Sequence, residues 1–134
     1  MARQLYMTAT AALLVLAGSI SAGARSSMPA DDRWNPQHID ALPPEVRNAI
    51  APYARICGGP LAAEHSFARY FQTGTVKLIG LHFETLRCGN RGAVCKSAGC
   101  LHQVYVSTGG RYRLLSSSYV PELDLTQVKV GPQR

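Results

Sequence analysis

The four cysteines, Cys57, Cys88, Cys95 and Cys100, are the feature that most restricts how this chain of 134 residues can fold. An even number of cysteines in a small exported chain is typical of two disulfides rather than of free thiols. Four cysteines allow three pairings, and the sequence does not choose among them. We favour Cys57–Cys88 with Cys95–Cys100, because the first bridge would join a helical half to a sheet and the second would close a short irregular segment.

The N-terminus indicates export. Arg3 gives a short basic start, Ala11–Ala17 is apolar, and residues 21–24 read Ser-Ala-Gly-Ala. This order is typical of a secretory signal peptide, and we place cleavage after Ala24. The apolar run is too short for an ordinary membrane span. We therefore expect a periplasmic or secreted protein without a membrane span.

Removal of the signal peptide, residues 1–24, would leave 110 residues, which is enough for one domain. The formal net charge would fall from +6 to +5. Residues 25–33 are mostly small or polar and have no periodicity, so we expect a disordered segment. We assign residues 34–130 to a single domain and 131–134 to a loose tail, and we expect a monomer.

Helical periodicity dominates the first half of this domain. Apolar residues at 46, 50, 53 and 56 predict a helix over Pro44–Ile56 that is buried on one side. Pro52 cannot donate a backbone hydrogen bond, so we expect a kink or two short helices there. A second helix is predicted from Leu61 to about Phe71, with His65 on its apolar side.

From Thr75 the hydrophobic period changes to two. Thr75–Leu86 is predicted to be a strand with Ile79, Leu81 and Phe83 on the core and the other face toward solvent or a groove. Leu125–Val130 is predicted to be the last strand. Helices followed by strands indicate an α+β fold, in which one or two N-terminal helices pack on an antiparallel sheet of about four strands.

The clearest local signal is a β-hairpin formed by Leu101–Ser107 and Tyr112–Tyr119, which meet at Gly109-Gly110. Two glycines can take positive φ angles in a two-residue loop. With these glycines at the centre, the predicted pairs are Ser107/Tyr112, Val106/Arg113, Tyr105/Leu114, Val104/Leu115, His102/Ser117 and Leu101/Ser118.

Three groupings could carry chemistry. His82 and Glu84 are two apart on a predicted strand and could act as a base and its orienting carboxylate, although a weak ion pair on an exposed face is the ordinary explanation. Cys100 with His102 would form a thiol–imidazole pair only if the cysteine were unpaired. Cys88, Cys95, Cys100 and His102 include donors that zinc accepts, but their spacing is unlike that of common zinc sites. We expect no metal, no cofactor and no catalysis.

Positive charge is concentrated in residues 84–113. Five basic residues stand there against Glu84 alone, and they could bind an anionic envelope component or an acidic protein. Nearby Tyr105, Tyr112 and Tyr119 could add flat contacts. A solvated basic surface that only keeps the domain soluble is the alternative, and nucleic acid is not expected as a partner. The predicted contact residues are Arg111, Tyr112 and Arg113, together with Arg87, Arg91 and Lys96.

Two resemblances centre on the hairpin. The segments 99–105, GCLHQVY, and 107–114, STGGRYRL, resemble small exported proteins of unknown function from rhizobium-like alphaproteobacteria, over about residues 34–115. This resemblance implies an exported protein and no particular activity. Residues 108–112, TGGRY, also resemble the Ser-Gly-x-x-Tyr loop of periplasmic inhibitors of c-type lysozyme. That second resemblance implies an inhibitor whose loop enters an enzyme cleft.

Overall fold

The computed structural model describes residues 33–131. The predicted signal peptide and nearly all of the segment 25–33 lie outside the described residues, as do residues 132–134 of the predicted tail. Within 33–131, no helix is long and apolar enough to cross a membrane. The predicted disulfides, Cys57–Cys88 and Cys95–Cys100, are both present.

The helices are short, and proline sets the boundaries of two of them. Helix α1 is Gln37–Asp40, α2 is Pro44–Ile50, α3 is Tyr53–Ile56 and α4 is Arg91–Val94. Helix α2 begins at Pro44, where a missing N–H costs nothing because the first turn has no acceptor for it. Pro52 separates α2 from α3, which confirms the predicted break. Val46 and Ile50 are fully buried, as their spacing predicted.

The second predicted helix, Leu61 to Phe71, is wrong. The chain forms a 3₁₀ turn at His65–Phe67 and then enters strand β1, Ala68–Thr73. Strand β1 pairs antiparallel with β2, Val76–His82, through a turn in which Gly74 has a φ of 59°. A short helix leaves the backbone groups at both of its ends without internal partners, whereas pairing with β2 bonds residues along the whole of β1. The aromatic residues of β1 also suit a strand.

The sheet contains five antiparallel strands. Strand β3 is Cys95–Lys96, β4 is Gly99–Ser107 and β5 is Tyr112–Val120. The main path runs β1-β2-β4-β5, and β3 pairs with the first two residues of β4, beyond the end of β2. Gly99 has a φ of 133°, and a Cβ there would lie 2.3 Å from the carbonyl carbon of Val120. The α+β fold with an antiparallel sheet and two disulfides is therefore as predicted, with one more strand.

The hairpin has the predicted register only near its loop. Ser107 pairs with Tyr112 and Tyr105 with Leu114, but Val104 then pairs with Ser116. Leu115 is thus the extra residue of a β-bulge. Every later pair is shifted by one residue, so His102 lies opposite Ser118 rather than Ser117.

Both faces of the sheet are covered, which corrects the prediction that one face of β2 meets solvent or a groove. One face packs against the helices and contains Ile79, Leu81 and Tyr105. The other contains Leu78, Val104 and Val106. The residues after Pro121 cover this second face, with the partly buried side chains Leu123, Leu125, Val128 and Val130.

The predicted last strand, Leu125–Val130, is also wrong. Leu125–Gln127 is a 3₁₀ turn whose start is capped by Asp124, since Oδ1 accepts hydrogen bonds from the Thr126 amide and hydroxyl at 2.9 and 2.6 Å. The segment lies across the sheet instead of beside it. Gly80 leaves the necessary space, because a Cβ there would lie 3.0 Å from methyl carbons of Leu123 and Leu125.

Candidate functional site

The basic residues predicted to form one surface lie at opposite ends of strand β4. Arg111 and Arg113 lie just beyond Ser107, at what we call the hairpin tip, residues 106–113. Lys96 pairs with Gly99 at the other end, which we call the cysteine end because it contains Cys95–Cys100. At about 3.3 Å per residue, the nine residues of β4 separate the two ends by roughly 25 Å. The local charge of the sequence is therefore divided into two groups.

At the hairpin tip the cations are exposed. The Arg111 side chain is 93% exposed, and its Nε lies 4.0 Å from Glu45 Oε1, which is too far for a strong ion pair. Arg113 is also exposed, while Tyr112 between them is half-buried. The Ser107 hydroxyl accepts a hydrogen bond from the Gly110 amide at 3.1 Å, which holds the loop. A cavity of about 270 Å³ is lined by Val106, Thr108, Gly109, Arg111, Tyr112 and Arg113.

At the cysteine end the same kind of side chain is used within the domain. The Arg91 guanidinium donates to the backbone oxygens of Leu86 and Glu84 at 3.2 and 3.3 Å. It also lies 3.3 Å from the sulfur of Cys95. The Lys96 ammonium lies 5.0 Å from the centre of the Tyr119 ring, within range of a cation–π contact. These two cations stabilise the loop and the strand around the disulfide.

Arg87 and Arg91 nevertheless line one groove. Its volume is about 420 Å³, and Arg33, Trp34 and Glu84 contribute to its walls. Arg33 stacks on Trp34 at 4.7 Å and forms a 2.6 Å ion pair with Glu64, while Arg87 reaches the Pro60 oxygen at 3.5 Å. The arginines of this groove therefore already have contacts within the domain.

Two of the three tyrosines predicted to supply flat contacts are not available for them. Tyr105 is only 2% exposed and donates a hydrogen bond to Gln103 Oε1 at 2.9 Å. Burial raises the pKa of Tyr105 to about 12, because the charged phenolate would lose its hydration. The Tyr119 hydroxyl donates to the Ala93 oxygen at 2.9 Å. Tyr112 alone among the three faces the cavity at the hairpin tip.

The two cysteine-based groupings are excluded by the disulfides. Cys100 is bonded to Cys95, so it cannot act as a thiol beside His102. Cys88 is bonded to Cys57, so the set Cys88, Cys95, Cys100 and His102 offers no thiolate to zinc. His102 belongs to both groupings, and its side chain is the one that is not consumed by a disulfide.

His82, Glu84 and His102 form a compact cluster instead. His82 ends β2 and pairs directly with His102 of β4, and the two rings meet edge to face with centres 5.0 Å apart. A 3₁₀ turn at Phe83–Thr85 follows, in which the Thr85 hydroxyl donates to the His82 oxygen at 2.7 Å. This turn brings the Glu84 carboxylate to both rings. Oε1 lies 3.5 Å from His82 Nδ1 and Oε2 lies 3.2 Å from His102 Nε2.

The cluster is buried, which corrects the expectation of an ion pair on an exposed strand face. His82 is 5% exposed and His102 is 2% exposed, whereas Glu84 is partly exposed and lines the groove described above. Burial lowers the pKa of His82, and the Glu84 carboxylate opposes that shift. The His82 imidazole is therefore biased toward its neutral form.

Sequence reasoning joined His82 to Glu84 but missed that His102 joins them. The missing step is the pairing of β2 with β4, because only that register places the two histidines opposite each other. The histidines are 20 positions apart in the sequence, and no local pattern encodes which strands pair across such a distance. The sequence feature that could have suggested the cluster is the presence of one histidine in each of two predicted core strands.

Comparisons with known proteins assign neither a family nor a function: no protein-family model, no curated protein and no solved structure matches the chain.

Proposed function

We propose that this protein is an exported, disulfide-bonded binding domain whose hairpin tip binds an anionic component of the cell envelope. The observation that carries the proposal is the contrast between the arginines. Arg111 and Arg113 are exposed at the tip and both line one cavity, while Arg91 donates to the backbone of its own domain. A cation without a strong internal partner can bind a phosphate or carboxylate without first breaking a contact.

The chemistry of the tip suits such a ligand. Two guanidinium groups offer forked donors to phosphate or carboxylate oxygens, and Tyr112 adds a flat surface with a hydroxyl. The open loop at Gly109 and Gly110 has exposed backbone, so a bulky headgroup or sugar can approach closely. Both glycines leave space, since a Cβ at either would meet nothing within 4 Å.

Export is supported by two features. Both disulfides require an oxidising compartment to form and persist, and residues 1–24 have the composition of a secretory signal peptide. Expression with the native leader, followed by intact-mass analysis of the periplasmic fraction, tests this part. We expect a chain that begins at Arg25 and contains no free thiol. Retention in the cytosol with reduced cysteines would contradict it.

Charge reversal at the tip tests the binding part. The variant Arg111→Glu/Arg113→Glu should lose binding to vesicles that contain anionic phospholipid and to an acidic polysaccharide such as alginate. The matched control is Arg55→Glu/Arg69→Glu, which changes the net charge equally at two exposed sites outside the hairpin. Equal loss in both variants would indicate a nonspecific effect of net charge, and no loss in either would remove the tip as the site.

The same variants separate the alternative of a lysozyme-type inhibitor. If the pure protein slows c-type lysozyme and only the tip variant abolishes the effect, the loop acts on the enzyme and not on an envelope polyanion. The observation that favours this alternative is that residues 108–111 of the inhibitor-like segment are exposed.

A further inference from the structure

The buried cluster of His82, Glu84 and His102 is unusual in one respect. It places two buried histidines and a partly exposed carboxylate with ligand atoms within 4.8 Å of one another. Buried polar groups are normally satisfied by hydrogen bonds. Among the described residues, however, the Glu84 Oε2 atom is buried and has no hydrogen-bond partner. The same holds for His82 Nε2, the ring nitrogen opposite the Nδ1 atom that lies near Glu84, and ligation through Nδ1 would not change that.

The hydrogen bond of His102 shows that Glu84 Oε2 lies close to a second hydrogen-bond acceptor when His102 is neutral. Its Nδ1 lies 2.9 Å from the backbone oxygen of Cys100, and because a carbonyl oxygen only accepts, Nδ1 carries the proton and donates. In neutral His102 the lone pair is therefore on Nε2, which lies 3.2 Å from Glu84 Oε2. Two acceptors this close together in a buried site repel unless a positive charge lies between them.

We propose that His82, Glu84 and His102 bind one Zn²⁺ ion, through His82 Nδ1, His102 Nε2 and the Glu84 carboxylate. Zinc bonds to imidazole nitrogen and carboxylate oxygen are about 2.0 to 2.2 Å long, so tetrahedral ligand atoms lie roughly 3.3 to 3.5 Å apart. The distance from His82 Nδ1 to Glu84 Oε1 is 3.5 Å and that from His102 Nε2 to Glu84 Oε2 is 3.2 Å, so each histidine lies near that spacing from one of the two carboxylate oxygens. The ligand atoms of the three residues all lie within 4.8 Å of one another, so binding of one ion would draw the side chains closer together.

The surroundings of the cluster also suit a metal site. The Cys100 oxygen orients His102 through Nδ1, which is the usual way in which a backbone carbonyl fixes a metal-binding imidazole. The Cys95–Cys100 bridge fixes that carbonyl in turn, because it lies within the bridged segment. Glu84 lines the groove of about 420 Å³, so an ion can reach the histidines past this partly exposed side chain. Three protein ligands leave a fourth position for water.

Zn²⁺ titration into the tag-free, oxidised, metal-stripped protein tests the proposal by calorimetry. We expect one Zn²⁺ per chain with both disulfides intact by mass, and Co²⁺ should give the visible absorption of a tetrahedral site. The variant Glu84→Gln keeps the shape of a partly exposed side chain and should weaken Zn²⁺ binding at least about 100-fold, as should His102→Gln. The control His65→Gln removes an exposed histidine outside the cluster and should leave the affinity unchanged.

Two results would overturn the proposal. One is Zn²⁺ binding that is absent or equally strong in the parent protein, His65→Gln and Glu84→Gln. The other is a ¹⁵N NMR spectrum in which both ring nitrogens of His102 stay protonated in excess Zn²⁺, because the positive charge between His102 and Glu84 is then a proton. Near-ultraviolet circular dichroism confirms that each variant is folded, and if His102→Gln does not fold, Glu84→Gln decides the question.

Discussion

Basic residues lie at both ends of strand β4, but they make contacts within the protein at one end and extend into solvent at the other. At the cysteine end, Arg91 and Lys96 contact backbone oxygens, a sulfur and an aromatic ring, and the disulfide and the buried histidines lie among them. At the hairpin tip, Arg111 and Arg113 extend into solvent. Positive charge in a sequence therefore does not by itself mark a binding surface. Whether a cation is available depends on which carbonyl groups the fold places within its reach.

Stabilising contacts lie at the cysteine end, whereas recognition is what we propose for the tip. Removal of the disulfides should have the largest effect on stability. In the loop-entropy model, the Cys57–Cys88 bridge contributes about 4 kcal/mol and the Cys95–Cys100 bridge about 2 kcal/mol to the free energy of unfolding. We expect Cys57→Ser/Cys88→Ser to lose about twice as much as Cys95→Ser/Cys100→Ser in urea unfolding. Full reduction should unfold most of the protein, since small domains have only about 5 to 15 kcal/mol to lose.

A core substitution near the cysteine end should also destabilise the protein strongly. The Phe83 ring is fully buried, with its centre 4.9 Å from that of Tyr53 and 5.5 Å from that of Phe67. Phe83→Ala should lower the free energy of unfolding by about 3 to 5 kcal/mol through lost burial and a cavity. Leu114→Ala, at the residue directly after the hairpin tip, is the control because Leu114 is 48% exposed, and it should cost less than about 1 kcal/mol.

If Phe83→Ala were no more destabilising than Leu114→Ala, the two ends would not differ in packing. Thermal unfolding followed by circular dichroism measures both variants under the same conditions.

Much of the fold follows from the sequence because its signals are local. Pro44 and Pro52 predict where α2 begins and ends, and Gly109-Gly110 between two alternating segments predicts the hairpin. The parity of the cysteines predicts two bridges. The helix boundaries and the hairpin depend on residues within a few positions of one another, and the prediction of two bridges depends on the number of cysteines.

The wrong predictions share a different cause. In each, contacts between residues far apart in the sequence determine the structure. Residues 68–73 have weak helical periodicity but form β1 because β2 lies beside them. Leu125–Val130 has a strand-like composition but crosses the sheet, where Gly80 leaves room for Leu123 and Leu125. The His82, Glu84 and His102 cluster likewise depends on the pairing of β2 with β4. A single sequence contains no direct record of such pairings.

Tyr105 directly precedes the hairpin tip and gives a pH test of how closed that part of β4 is to water. Its pKa is raised from 10.0 to about 12 by burial, so the folded state keeps a proton that the unfolded chain loses from pH 10 upward. The contribution to stability is complete below pH 10 and is lost as the pH rises toward 12. The free energy of unfolding should therefore fall by about 1.4 kcal/mol per pH unit in that window.

Tyr105→Phe removes this hydroxyl, so the free energy of unfolding should fall less steeply with pH than in the parent protein. The other tyrosines contribute equally to both proteins. Urea unfolding at several values between pH 9 and 12 provides the comparison. Identical slopes in the two proteins would mean that the Tyr105 hydroxyl is accessible to water.

We expect the smallest change in the free energy of unfolding for substitutions at the hairpin tip. A small change there would support the contrast between the two ends. Arg111→Glu/Arg113→Glu removes only a weak contact at 4.0 Å to Glu45, so the free energy of unfolding should change by no more than about 0.5 kcal/mol. Arg91→Gln at the cysteine end should cost more, because Leu86 and Glu84 would lose donors to their backbone oxygens. Urea unfolding measures both variants. If the tip variant were the more destabilised, its arginines would be structural, and the proposed binding role would lose its main support.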